Sequence, residues 1–194
     1  MTPEIEEERR QWGERVTGID PDRFVFVDET NAKTTMTRLY GRAPRGERVV
    51  EHVPDGRWES LTLVAALSLV GATAALAYEG GTDAMTMLAF VQDVLVPTLK
   101  PGQIVVMDNL SSHKDPQVIA AIEAARAEVW FLPRYSPDLN PIEEMWSKIK
   151  AWLRKTGARA KEALIDAIGV ALCQVTPGDA EGWFKHCGYT NSQS

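Results

Sequence analysis

Three acidic residues stand where a chain can deliver carboxylates to one place. Asp28 closes the apolar run Phe24 to Val27, Asp108 closes Ile104 to Met107, and Glu143 follows Asn140 and Pro141, with 34 residues between the second acid and the third. Short unbroken apolar runs read as strands buried on both faces. In open α/β sheets, ligands and reacting groups collect at the carboxyl ends of such strands. Asn140 is a favourable N-cap and Pro141 a favoured first helical residue, which puts Glu143 in the first turn of a helix. Carboxylates gathered in this way suit hard divalent cations, which prefer oxygen ligands.

Each acid also has a plain structural reading. Asp28 can cap the turn before Thr30, and Asp108 can accept from following backbone N–H groups in an Asx-turn. Asn140 and Glu143 sit at the positions of a capping box. Glu144 competes with Glu143. On the helix from Pro141, the residues Ile142, Met145, Trp146, Ile149 and Leu153 form the apolar stripe, and at about 100° per residue Glu143 lies on its flank while Glu144 points further away.

The three acids lie in motifs: D-E-T at Asp28, D-N-x-x-x-H from Asp108 to His113, and Y-S-P-D-L-N-P-I-E from Tyr135 to Glu143. In this order and spacing they resemble the catalytic domain of mariner-superfamily transposases, in its bacterial branch, insertion sequence family 630. The likeness runs from about Trp12 to the W-F-K-H-C-G-Y near the end. It implies a ribonuclease H-like fold with Asp28, Asp108 and Glu143 as catalytic residues and metal ligands. Asp28 would bridge two Mg²⁺ ions, for which Mn²⁺ would substitute; Asp108 would be the second ligand, and Glu143 would serve one ion only. Two divalent ions about 4 Å apart can activate a water and hold the departing 3′ oxygen of a phosphodiester. The implied activity is DNA cleavage and strand transfer, moving an insertion sequence by cut-and-paste transposition with insertion at TA. The implied partners are double-stranded DNA, both transposon ends and target, and a second copy of the chain. Members of the family also carry helix-turn-helix modules, for which the roughly 23 residues before the first strand are too short. An upstream helix-turn-helix polypeptide is therefore an expected partner, with this chain as the catalytic half.

The elements that must position these acids follow from pattern. Residues 1–22 read as a helical extension broken at Asp20, Pro21 and Asp22. Residues 23–156 form the catalytic domain, and residues 157–194 a helical extension of the same domain. Phe24, Phe26 and Asp28 share one strand face, and Val25, Val27 and Glu29 the other. With both faces apolar, this strand is central. Residues 34–53 suggest a hairpin-like connection carrying Arg38, Arg42, Arg45 and Arg48. The run Leu61 to Tyr78 holds 18 residues without a charge. It is rich in Ala, Ser and Thr and broken by Gly71, which fits two paired strands better than a membrane span. A helix over about Asp83 to Leu99, the Asp108 strand, a helix from Asp115 and Pro116 to about Ala127, and a fifth strand at Val129 to Leu132 complete the order. Two short helices at 160–172 and 177–186 close the chain. The fold class is α/β: a mixed five-stranded sheet with helices on both faces.

Composition is that of an ordinary globular domain, 44% apolar and 25% charged. The net charge of -6 is unevenly spread: residues 33–57 hold six Lys and Arg against three acids, and residues 134–161 hold seven against three. These basic segments can be DNA-facing or merely solvated. Arg134, Tyr135, Lys150, Arg154 and His113 are the candidate DNA contacts, Arg134 foremost because its fork suits phosphate oxygens. A hydrogen-bonded loop histidine is the plainer role for His113. Trp58 beside Arg57 is a candidate for stacking on a base. Cys173 and Cys187 lack metal-site spacing, and the polar N-terminus lacks a signal peptide, so a reduced, cytoplasmic, nucleoid-associated protein is expected. Two other functions share these features: a transposase remnant that binds DNA or a partner without catalysis, and a stand-alone ribonuclease H-like nuclease.

Overall fold

The computed structural model describes residues 2–50 and 58–190. Five strands, β1 (Phe24–Lys33), β2 (Ser60–Ser68), β3 (Gly71–Tyr78), β4 (Ile104–Met107) and β5 (Glu128–Phe131), form one sheet in the order β3-β2-β1-β4-β5. β1 pairs antiparallel with β2 on one side and parallel with β4 on the other. β2 and β3 are antiparallel, and β4 and β5 parallel. The charge-free run is thus a strand pair, and among the described residues no helix is long and apolar enough to cross a membrane.

Alternation along β1 sorts the core. Phe24 and Phe26 join Leu63, Ala65 and Val106 under α4 (Pro141–Thr156), α5 (Lys161–Cys173) and α6 (Pro177–His186). Val25 and Val27 join Val64, Val105 and Met107 under α2 (Ala84–Phe90) and α3 (Pro116–Ala124). α2 continues to Thr98 as a π turn over Val91–Leu95 and a 3₁₀ turn over Val96–Thr98. The expected single helix is therefore re-wound near its end, where Pro97 has no N–H and crowds the turn before it. α4 stops at Gly157, whose left-handed φ of 63° lets its N–H close on Leu153 O.

The expected hairpin between β1 and β2 is corrected. β1 runs on to Lys33, which pairs with Ser60, and residues 34–50 contain no strand. Gly41, Pro44 and Gly46 leave runs there too short to pair. Arg57 and its neighbours in 51–57 lie outside the described residues.

The two ends of the chain close the core. α1 (Pro3–Val16) inserts Trp12, which meets Trp130 edge-on at 6.0 Å between ring centres and donates Nε1–H to Tyr189 Oη at 3.1 Å. Tyr189 in turn stacks obliquely on Phe24 and Phe26 and donates to Leu139 O at 2.7 Å.

Candidate active site

Strand register brings the first two acids together. Phe24 lies opposite Ile104 and Phe26 opposite Val106, an offset of 80 residues that also relates Asp28 to Asp108 (108 − 28 = 80). Both acids continue the alternation that places Phe26 and Val106 under α4. The first turn of α4 supplies the third, and Asp28, Asp108 and Glu143 line one cleft of about 530 Å³ with Asn109, Tyr135 and Asn140.

Asn140 holds the N-cap position of α4, but its side chain makes no cap bond. Its Nδ2 instead lies 3.5 Å from Asp28 Oδ2, and its buried Oδ1 has no partner among the described residues. The capping-box reading of Glu143 therefore fails, and Glu143 is exposed to the cleft. Glu144 faces α6, with Oε1 3.8 Å from His186 Nδ1, so of the two adjacent acids only Glu143 belongs to the site. Asp108 does form the Asx-turn, accepting from Leu110 N–H at 3.0 Å through Oδ1. Asp28 Oδ1 accepts from Glu29 N–H at 2.8 Å.

The electrostatics separate the two aspartates. Burial pushes the Asp28 carboxyl up to about 7, against the Glu29 hydrogen bond, and the charges of Glu143, Asp108 and Glu29 add to the rise. Burial acts on Asp108 in the same sense, yet His113 and the Leu110 N–H outweigh it and hold Asp108 below the ordinary carboxylate range.

His113 is fully buried, so it is corrected from a DNA contact to an internal bridge. Its Nε2 lies 2.9 Å from Glu29 Oε2 in a hydrogen bond. Its Nδ1 lies 2.7 Å from Asp108 Oδ1, an ion-pair contact whose angle falls short of a hydrogen bond. Burial opposes its charge, but the two carboxylates push its pKa up to about 9. A carboxylate oxygen near each nitrogen favours the doubly protonated ring.

The remaining DNA candidates separate. Tyr135 projects into the cleft at 85% exposure with a left-handed φ of 54°. Arg134 lines the same cleft but is held by α1, with Nη2 2.6 Å and Nε 3.0 Å from Glu8 Oε1. Arg9 ties the same loop from the other side, donating to Ser136 Oγ at 2.8 Å and to Asp138 Oδ1 at 2.9 Å. Lys150 is half-buried on α4 and does not line the cleft, and Arg154 lines a separate groove with Arg38, Leu39 and Tyr40. Trp58 is 55% exposed with Lys33 Nζ 4.9 Å from its ring centre.

The donor set fits a hard divalent cation by type and charge. Asp28 is a carboxylate raised by burial first and by neighbouring negative charge after it, and Glu143 makes no side-chain hydrogen bond or ion pair among the described residues. Among those residues no three His, Cys, Asp or Glu side chains enclose an ion as they stand. Mg²⁺ commonly takes only one or two protein carboxylates and completes its shell with water and phosphate oxygens. The exposed Glu143 is free to turn toward the two aspartates.

Glu29 and the α1 residues Glu8 and Arg9 were not expected at the site. Alternation puts Glu29 on the face opposite Asp28, and no local pattern links it to His113, 84 residues away.

Residues 23–165 match the family described as DDE superfamily endonuclease. No curated protein sequence matches the chain. Among solved structures, the Mos1 transposase paired-end complex with left transposon end superposes with a TM-score of 0.76 at 18% identity, covering 96% of this chain and 62% of that one. The Mos1 strand transfer complex gives 0.74 at 17% identity, covering 94% and 57%. The Mos1 transposase catalytic domain with Raltegravir and Mn gives 0.52 at 17% identity, covering 97% and 96%. The chain thus spans less than two thirds of the first two, and the fold it shares with all three is ribonuclease H-like.

Proposed function

Because the chain belongs to the DDE superfamily of endonucleases, we propose that it cleaves double-stranded DNA as the catalytic part of a transposase of insertion sequence family 630. Asp28, Asp108 and Glu143 would hold Mg²⁺ or Mn²⁺, two ions per site. What such ions supply is activation of the attacking water and stabilisation of the departing 3′ oxygen.

The chain's own groups do the rest. Asn140 packs its amide against Asp28 and limits the positions open to that carboxylate. Tyr135 stands at the cleft mouth, placed to meet a nucleotide beside the scissile phosphate. Burial of Asp28 keeps bulk water from one side of the site. In strand transfer the same cleft would bind a freed 3′ hydroxyl as it attacks a target phosphodiester, the target's own 3′ oxygen leaving as the new bond to phosphorus forms. End recognition comes from a helix-turn-helix partner, and two copies of the chain act on paired ends. The likeness to structures described as holding a transposon end supports DNA as the substrate.

The observation that supports this reading is that Asp28 on β1, Asp108 just past the end of the adjacent β4 and Glu143 in the first turn of α4 line one cleft. The test is nicking of supercoiled plasmid by the purified chain with Mn²⁺ or Mg²⁺. Nicking that chelator abolishes, with duplex DNA preferred to an RNA–DNA hybrid, is expected. A preference for the hybrid would make the chain a ribonuclease H-like nuclease instead.

A further inference from the structure

We infer that Glu29 and His113 are a positioning pair for the Asp108 carboxylate, an inference that rests on the metal-site reading above. His113 is fully buried in the loop after β4, fixed by its own N–H to Leu110 O at 3.2 Å and by Lys114 N–H to Ser111 O at 3.2 Å. Its ring spans two carboxylates on different strands, Glu29 Oε2 at 2.9 Å and Asp108 Oδ1 at 2.7 Å. Glu29 is the residue after Asp28. The line Glu29, His113, Asp108 therefore ties the loop bearing one proposed ligand to the strand bearing the other, from the sheet face opposite the cleft acids.

A bridge of this kind is a poor device for stability alone. Burying the His113 ring against carboxylates that are 17% and 40% exposed carries a desolvation cost, and apolar residues of like volume often serve stability as well. Its distinctive effect is geometric. Asp108 Oδ1 is taken by His113 and the Leu110 N–H, and among the described residues no donor meets Oδ2. One oxygen is anchored and the other is left for a ligand. Partners behind a metal-binding group orient it and raise its basicity, and their loss commonly costs 10–100-fold in metal affinity or activity.

The experiment is a calorimetric Mn²⁺ titration of the full chain, with plasmid nicking run in parallel and melting followed by circular dichroism. Glu29→Ala and His113→Ala are each expected to weaken Mn²⁺ binding by about 10–100-fold. Excess Mn²⁺ should return part of the lost nicking while the KM for DNA stays near that of the unaltered chain. Glu29→Gln keeps an oxygen that can accept from Nε2 and should recover part of the loss seen with Glu29→Ala. If His113→Ala fails to fold, the two Glu29 variants carry the test. Folded variants with unaltered Mn²⁺ affinity would overturn the inference, because a merely structural pair lowers the melting temperature without moving that affinity. Absence of Mn²⁺ binding by the unaltered chain would instead overturn the metal-site reading, and this inference with it.

Discussion

Asp28 on β1 and Asp108, the residue that follows β4, are related by the same offset that pairs Phe26 with Val106 on these neighbouring parallel strands. Adjacent strands lie about 4.8 Å apart, so the two carboxylates leave the sheet side by side. Glu143 lines the same cleft because Pro141 starts α4 there.

The neighbouring acids of α4 should therefore differ sharply in function. Glu143→Gln should abolish plasmid nicking, while Glu144→Gln, on the side turned to His186, should nick at the unaltered rate. Parallel nicking time courses for the two variants check this. Equal loss in both would displace Glu143 from the site.

Stability of the metal-free chain should fall as pH rises. Asp28 has a folded pKa of about 7 against an ordinary 3.8, so between those values the folded chain binds more protons than the unfolded one. That makes the slope of stability with pH negative in this window. His113, at about 9 against 6.5, contributes fully below 6.5 and loses its contribution as pH rises through 9. Thermal melts in chelator should show a decline across both windows, and Asp28→Asn should remove the lower one. A flat melting temperature from about pH 4 to 7 in the unaltered chain would contradict the assignment.

Much of this arrangement is legible in the sequence, and what is not has a physical reason. Apolar runs ending in Asp28 and Asp108 define strands and mark their ends, because two-sided burial leaves a run without polar breaks. Pro141 fixes where α4 begins, so Glu143 can be placed within a turn. The sequence also shows Arg134 as a free cation beside the site, but it is bound to Glu8, 126 residues away. Likewise His113 reads as a loop histidine, and only the fold reveals Glu29 across from it. Pairings of this range leave no periodic signal. Asn140 shows a subtler limit: it occupies the N-cap as its type suggests, yet its side chain turns to Asp28.

The hold of α1 on Arg134 should be weak in energy and visible in DNA binding. The Arg134–Glu8 pair is half-exposed, 50% and 36%, and such pairs contribute about 0–1 kcal/mol. Glu8→Ala should leave the melting temperature nearly unchanged and strengthen salt-sensitive binding of duplex DNA, read by fluorescence anisotropy. Weaker binding would mean that the brace, and not a freed guanidinium, serves the DNA.

Trp12 should matter far more to folding. It is 5% exposed, packs on Trp130 and bonds Tyr189, and truncating a buried Trp costs about 3–5 kcal/mol. Trp12→Ala should shift the urea midpoint by a corresponding amount in a single transition. A second, separate transition would show that α1 folds apart from the sheet.

The most direct measurement compares the unaltered chain with Asp108→Asn for nicking of supercoiled plasmid in Mn²⁺, with both confirmed folded. Asp108 leads into the cleft beside Asp28, and its replacement removes a ligand charge while keeping the side chain's shape. Metal-dependent nicking by the unaltered chain and none by Asp108→Asn is the expected result. Nicking that survives the substitution would contradict the assignment of these acids as the centre that cuts DNA.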